Sequence, residues 1–288
     1  MDADTRREVE LFRTGQRPWL VVPSGMNLDA LPETPTGFAP EPDPAWWPIA
    51  WFTVGLMSMV GASVVSYVCE NDGAAFVNLV ARPQSGPDAR QAEKSTRPMR
   101  GHTDAVSFPF PGEFALGGEE HSPAPDLLVL VALRNPLSTP TRLASLSKAL
   151  EGLTDEEAAA LEGSHFDIKP QGTFATDKVR VGCPLVSRAE ANGLAVRFSH
   201  SSVVPSHGAP DIAGQALGRL AEFLPDLYEN MALKPGDVCL VHNRLVIHGR
   251  GAPGCDVGGR SRWLLRTYGW IHGTVGHAVP SGADHIHL

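Results

Sequence analysis

Residues 260–275 read RSRWLLRTYGWIHGTV. Tryptophan, leucine, tyrosine and isoleucine make the segment from Arg262 a strand candidate, yet Arg262 and Arg266 sit inside it. Side chains alternate across a strand, so residues four apart face the same side. A guanidinium removed from water is costly unless an anion meets it. A fold that takes this strand into its core must therefore bring anions to that face. Arginine's planar fork binds a carboxylate through two hydrogen bonds, so the pair suits ligands that carry carboxylates.

Several other segments read as strands. RPWLVVPSG at 17–25 ends in Pro-Ser-Gly, and AAFVNLVA at 74–81 follows the turn signal Asn71-Asp72-Gly73. DLLVLVALRNP at 126–136 is a continuous apolar strand, and LKPGDVCLVHNRLVIHGRG reads as strand, turn, strand. Helical patterns fall between them: residues 5–14, SLSKALEG, TDEEAAALEG and 210–231. TDEEAAALEG opens on the capping-box pattern Thr154-x-x-Glu157. Residues 31–48 read as irregular, and 82–100 as a long polar loop. Many strands with helices inserted predict one β-rich α+β domain over residues 1–288.

Bulk properties exclude some classes. Net charge is −8 with no long basic run, which argues against nucleic acid. Cys69, Cys183, Cys239 and Cys255 are scattered, with no CxxC pair, which suits free thiols in a reducing compartment. The charged N-terminus lacks the apolar core of a signal peptide, so a cytoplasmic location is expected. The apolar run from Trp46 to Val68 is rich in Gly, Ser and Thr, and reads as core rather than as a membrane span.

A second motif is RGHTDAVSFPF at 100–110, where His102 and Asp104 are two apart in a run of β-formers, and a strand would put both on one face. Chance alone gives about one acid at that spacing from 11 His and 32 Asp+Glu in 288 residues, and His165-Phe166-Asp167 repeats the pattern. The partner decides between them. Two imidazoles and one carboxylate can occupy one face of an octahedral Fe(II) and leave the other positions open. His248 closes a strand candidate 146 residues after His102 and supplies the second imidazole; His242 lies at the polar start of the same run. His165 has no such partner pattern, and Asp284-His285-Ile286-His287 reads as a frayed polar tail.

The HTD motif, ALRNP, VIHGRG and RSRWLLR together resemble the Fe(II)/2-oxoglutarate oxygenases of the clavaminate synthase-like group, which includes asparagine oxygenase and the arginine 3-hydroxylase of viomycin biosynthesis. The resemblance runs from Arg17 to Gly269. It implies a double-stranded β-helix (jelly-roll, cupin-like) core with flanking helices. It further implies iron on His102, Asp104 and His248, the C5 carboxylate of 2-oxoglutarate on Arg262, and the α-carboxylate of an amino-acid substrate on Arg266. Asn71 falls near a polar residue that in this group touches the substrate's amino group. The implied reaction takes O2 and 2-oxoglutarate to succinate and carbon dioxide while hydroxylating an unactivated C–H of a free L-amino acid or derivative, in specialised metabolism such as antibiotic biosynthesis.

Two departures stand out. Asp104 replaces the Glu carried by many members. The Thr that precedes Leu in a TL pair is Arg142 here, and a one-residue shift would turn Thr141 to the wrong face. Arg260 competes with Arg262 for the oxoglutarate role. Oxidative cyclisation or desaturation, a carrier-bound or non-amino-acid substrate, a zinc hydrolase and a non-catalytic jelly-roll binding protein are the alternative readings.

Overall fold

A computed structural model describes residues 3–37, 44–82, 96–111, 113, 122–174, 179–189, 193–274 and 286–287. Two antiparallel sheets face each other. The larger orders its strands Trp19–Pro23, Asp237–His242, Leu127–Arg134, Trp263–Ile271 and Ala62–Tyr67, with Val77–Val80 also paired to Trp263–Ile271. The smaller runs Glu229–Met231, Thr141–Ser145, Val246–Arg250, Met99–His102. This is the jelly-roll architecture that the family resemblance implies, and it bears out the β-rich reading of the strand pattern.

The unbroken apolar character of residues 127–134 follows from their place in the middle of the larger sheet. Leu128, Leu130 and Ala132 face inward, with Leu143 and Val246 of the opposite sheet in the same core cluster. Leu127, Val129, Val131 and Leu133 face outward, against a cluster holding Ile49, Leu56 and Met57 of the helix Trp47–Met59. A strand buried on both faces has no polar side to alternate with. Behind the smaller sheet, Ala144 and Ile247 meet Leu220 and Leu224 of the long helix Asp211–Leu227. Each fully buried leucine contributes about 1.5–3 kcal/mol, so the faces between and behind the sheets fix the strand registers that carry the site.

The apolar run Trp46–Val68 divides into a 13-residue helix and the strand Ala62–Tyr67. Among the described residues no helix is long and apolar enough to cross a membrane. The capping box forms: Glu157 N donates to Thr154 Oγ1 at 3.2 Å and Thr154 N donates to Glu157 Oε2 at 2.8 Å. The tail departs from the frayed expectation, because Ile286 and His287 pair parallel with Ser66 and Tyr67. Most of the expected 82–100 loop lies outside the described residues.

Candidate active site

The smaller sheet delivers two imidazoles side by side. Val246–Arg250 pairs antiparallel with Met99–His102, and His248 stands directly opposite His102. Their ring centroids are 4.3 Å apart. Alternation sends Ile247 to the outer core, so Val246, His248 and Arg250 face inward. Gly249 permits this closeness: a Cβ there would sit 2.7 Å from the Met99 carbonyl oxygen.

Asp104 arrives by a different route from the one expected. The strand ends at His102, and Asp104 opens a turn in which Ala105 has φ 54°. Strand alternation therefore does not place the carboxylate; long-range hydrogen bonds do. Asp104 N donates to Asn243 Oδ1 at 2.8 Å, and Asn243 Nδ2 returns a bond to Asp104 O at 3.0 Å. Gln171 brackets the turn, accepting from Ala105 N at 2.8 Å and donating to Thr103 O at 3.0 Å. So held, Asp104 Oδ1 lies 3.6 Å from His102 Nε2 and Oδ2 lies 3.5 Å from His248 Nε2.

These three side chains offer ligand atoms within 4.8 Å of one another. Burial alone would raise the Asp104 pKa, but His248 and His102 outweigh it and hold the carboxyl well below the usual range. Burial, followed by the neighbouring His102, pushes the His248 imidazole down and favours its neutral form. His102 Nδ1 lies 3.0 Å from the Arg100 carbonyl oxygen. A carbonyl accepts only, so Nδ1 carries the proton and the Nε2 lone pair faces the cluster. A carboxylate and two imidazoles with inward lone pairs are a fitting donor set for a divalent metal. His248 Nδ1 departs from the usual support, being buried without a hydrogen-bond partner.

A cavity of about 350 Å³ adjoins the cluster. Arg262, Leu264 and Arg266 all line it, as alternation along Trp263–Ile271 requires. The register shift between Trp263 and Leu264 is absorbed by the partner strand, which steps from Arg134 to Ala132. Arg262 is buried and makes no ion pair with any described residue, and its Nε has no hydrogen-bond partner. Burial, and then the charge of Arg250, push it down to about 9. A guanidinium still holds its proton at neutral pH, so the site favours an incoming anion. Arg260 is exposed and does not line the cavity.

Arg266 differs from the expectation that only a ligand would meet it. Its Nη2 donates to Glu70 Oε1 at 2.6 Å, both side chains are buried, and its guanidinium lies 4.6 Å from the Tyr268 ring centroid. Asn71 is half-buried at φ 51° and does not line the cavity; the polar group beside the arginine is its neighbour Glu70. Thr141 corrects a second expectation. It lines the cavity directly opposite Arg250 in the sheet. Leu143 packs between the sheets, and Thr141, two residues earlier, shares its face. His165 is half-buried, and Asp167 accepts from Gly182 N and Ser206 Oγ, away from the cluster.

With this geometry in view, the comparisons with known proteins are direct. Residues 74–268 match the family model described as taurine catabolism dioxygenase TauD, TfdA family. The chain belongs to this family. It is similar in fold to asparagine oxygenase solved with Fe(II), 2S,3S-3-hydroxyasparagine and succinate, at TM-score 0.76 and 22% identity, covering 93% of this chain and 79% of that one. It is also similar to the non-heme iron oxygenase OrfP solved with Fe and alpha-ketoglutaric acid, at TM-score 0.74 and 18% identity, covering 93% and 79%. OrfP solved with Fe and L-Arg gives TM-score 0.69 at 19% identity, covering 93% and 80%. The TauD/TfdA match makes this protein a dioxygenase, hence an oxidoreductase.

Proposed function

We propose that residues 1–288 form one Fe(II)/2-oxoglutarate-dependent oxygenase domain that hydroxylates an unactivated C–H of a free L-amino acid or close derivative. The observation that carries this reading is the inward-facing His102, Asp104 and His248 cluster beside a buried arginine with no ion-pair partner among the described residues. Family membership and the iron, succinate and alpha-ketoglutaric acid bound to the structural neighbours support it.

His102, Asp104 and His248 would hold the iron, which when bound supplies O2 activation coupled to decarboxylation of 2-oxoglutarate. The chain's own residues do the rest. Arg262 grips the far carboxylate of 2-oxoglutarate through its planar fork, with the Thr141 hydroxyl and Arg250 lining the same cavity. Asn243 and Gln171 keep the carboxylate turn rigid. Arg266 reads a substrate carboxylate, and Glu70 beside it can take an ammonium, which together suit the two charges of a free amino acid. Leu79, Leu128, Leu130 and Leu264 give the cavity an apolar wall that limits water.

Two measurements test the reading. His102→Ala, Asp104→Ala or His248→Ala each lose bound Fe(II) and succinate production while the fold survives, and His165→Ala keeps both; iron lost only in His165→Ala overturns the ligand assignment. Succinate formation is then followed across amino acids as free acids and as α-amides. The acids are expected to couple turnover and the amides to fail, because a buried arginine is left without its anion. Equal use of the amide moves the assignment to a carrier-bound or non-amino-acid substrate.

A further inference from the structure

The charges along the cavity do not balance, and the imbalance narrows the substrate. Among the described residues lining it, Asp104 is the only carboxylate, against the guanidinium groups of Arg100, Arg250, Arg262 and Arg266. Asp104 belongs to the metal ligands, and Glu70 answers Arg266 from behind. A ferrous ion and a 2-oxoglutarate dianion cancel each other, and the backbone of a free amino acid is a zwitterion that adds nothing net. The charge of Arg100 is then the one that no described group of the wall answers.

Arg100 is where that charge reaches the substrate side. It lies two residues before His102 on Met99–His102, so both side chains leave the same face of the strand. It lines the cavity, is exposed at its mouth, and makes no ion pair with any described residue. The same cavity wall is rich in donors: His200, Ser199, Ser201, Ser202 and Thr173 line it with Arg100. Nothing on this described wall can neutralise an ammonium or guanidinium side chain, and such a group would face Arg100. A side-chain carboxylate finds a cation and several donors.

Resting on the oxygenase reading above, we propose that the primary substrate is an amino acid with an acidic side chain, selected at the cavity mouth by Arg100. The two dicarboxylic amino acids share the chemistry and differ only in reach.

The experiment titrates protein loaded with Fe(II) and 2-oxoglutarate, under argon, with L-aspartate, L-glutamate, L-asparagine, L-glutamine, L-lysine and L-arginine, reading binding by calorimetry. One acidic amino acid binds tightest, roughly tenfold or more over its amide, and the basic pair bind weakest. Arg100→Gln removes the acid preference while 2-oxoglutarate affinity stays put, Arg100→Lys keeps most of it, and Arg100→Glu shifts preference toward the basic pair. Amide or basic amino acids binding as tightly as the acids, or an acid preference that survives Arg100→Gln, overturns the proposal and leaves the oxygenase reading standing. Binding by none of the six, with 2-oxoglutarate binding intact, overturns the amino-acid reading and this proposal with it.

Discussion

Arg262 and Arg266 lie four residues apart, on one face, lining one cavity and both buried, yet their surroundings are opposite. Arg266 is closed: Glu70 binds its guanidinium and Tyr268 lies beneath it. Arg262 is open: no described residue pairs with it, and burial and the like charge of Arg250 both act against its charged form. A buried cation with no ion-pair partner among the described residues is poorly justified by folding alone, so under the proposed function Arg262 is where a ligand anion would complete the fold. Arg266 already has a protein anion, and any ligand there must share it with Glu70. On that reading one strand carries a site the ligand would finish and a site the protein finishes.

The largest test of that contrast is stability. Arg266→Ala takes the guanidinium from the buried Glu70 carboxylate, and breaking such an ion pair costs about 3–5 kcal/mol. Arg262→Ala strands no protein charge, and leaves unfolding by denaturant nearly unchanged in the absence of ligands. Removing both charges in Glu70→Gln with Arg266→Met should recover much of what Arg266→Ala loses. If Arg262→Ala proves as destabilising as Arg266→Ala, the two sites are not different in kind.

The second test reverses the roles. Arg262→Ala raises the apparent KM for 2-oxoglutarate by about a hundredfold or more, since an anion-pairing arginine in a buried site is worth roughly 3–5 kcal/mol when removed. Adding 2-oxoglutarate raises the Tm of the wild type and no longer raises that of Arg262→Ala. Arg260→Ala leaves both quantities unchanged, because that side chain is exposed outside the cavity. A large KM effect at Arg260 would transfer the anion-binding role to the wrong side of the strand start.

The contrast also separates what sequence can reveal from what it conceals. Residue type and spacing along one strand are local, so the shared face of Arg262 and Arg266 was readable, as were the apolar strand 127–134 and the capping box at Thr154. The pairing of His248 with His102 was readable because few chain segments offer a histidine at the end of an apolar run. Glu70 was not, since it meets Arg266 across 196 residues. Asp104 reaches the cluster by a route other than strand alternation: its turn is held by Asn243 and Gln171, 139 and 66 residues from their partners. No local periodicity encodes such bonds. Arg100, Arg250 and Gln171 left no pattern beyond their identity, and only the closed cavity brings them together.

Thr141 supplies the finest test, because it asks which face of a strand looks at the open arginine. Its register partner is Arg250, and the alternate residue Arg142 pairs with Gly249. Arg142 lies on the side of Tyr228, whose hydroxyl titration it influences, away from the cavity. A hydroxyl beside the anion end of 2-oxoglutarate adds a hydrogen bond worth about 0.5–1.5 kcal/mol. Thr141→Val keeps the shape and removes that donor, so the KM for 2-oxoglutarate rises a few-fold to about tenfold. Thr141→Ser keeps the hydroxyl and stays near wild type. Arg142→Ala leaves the KM alone, since its side chain is on the far face. If instead Arg142→Ala raises the KM and Thr141→Val does not, the strand is in the other register. Leu143 would then point away from the inner core, and a one-residue slip would have to be accommodated by every residue from Thr141 to Ser145.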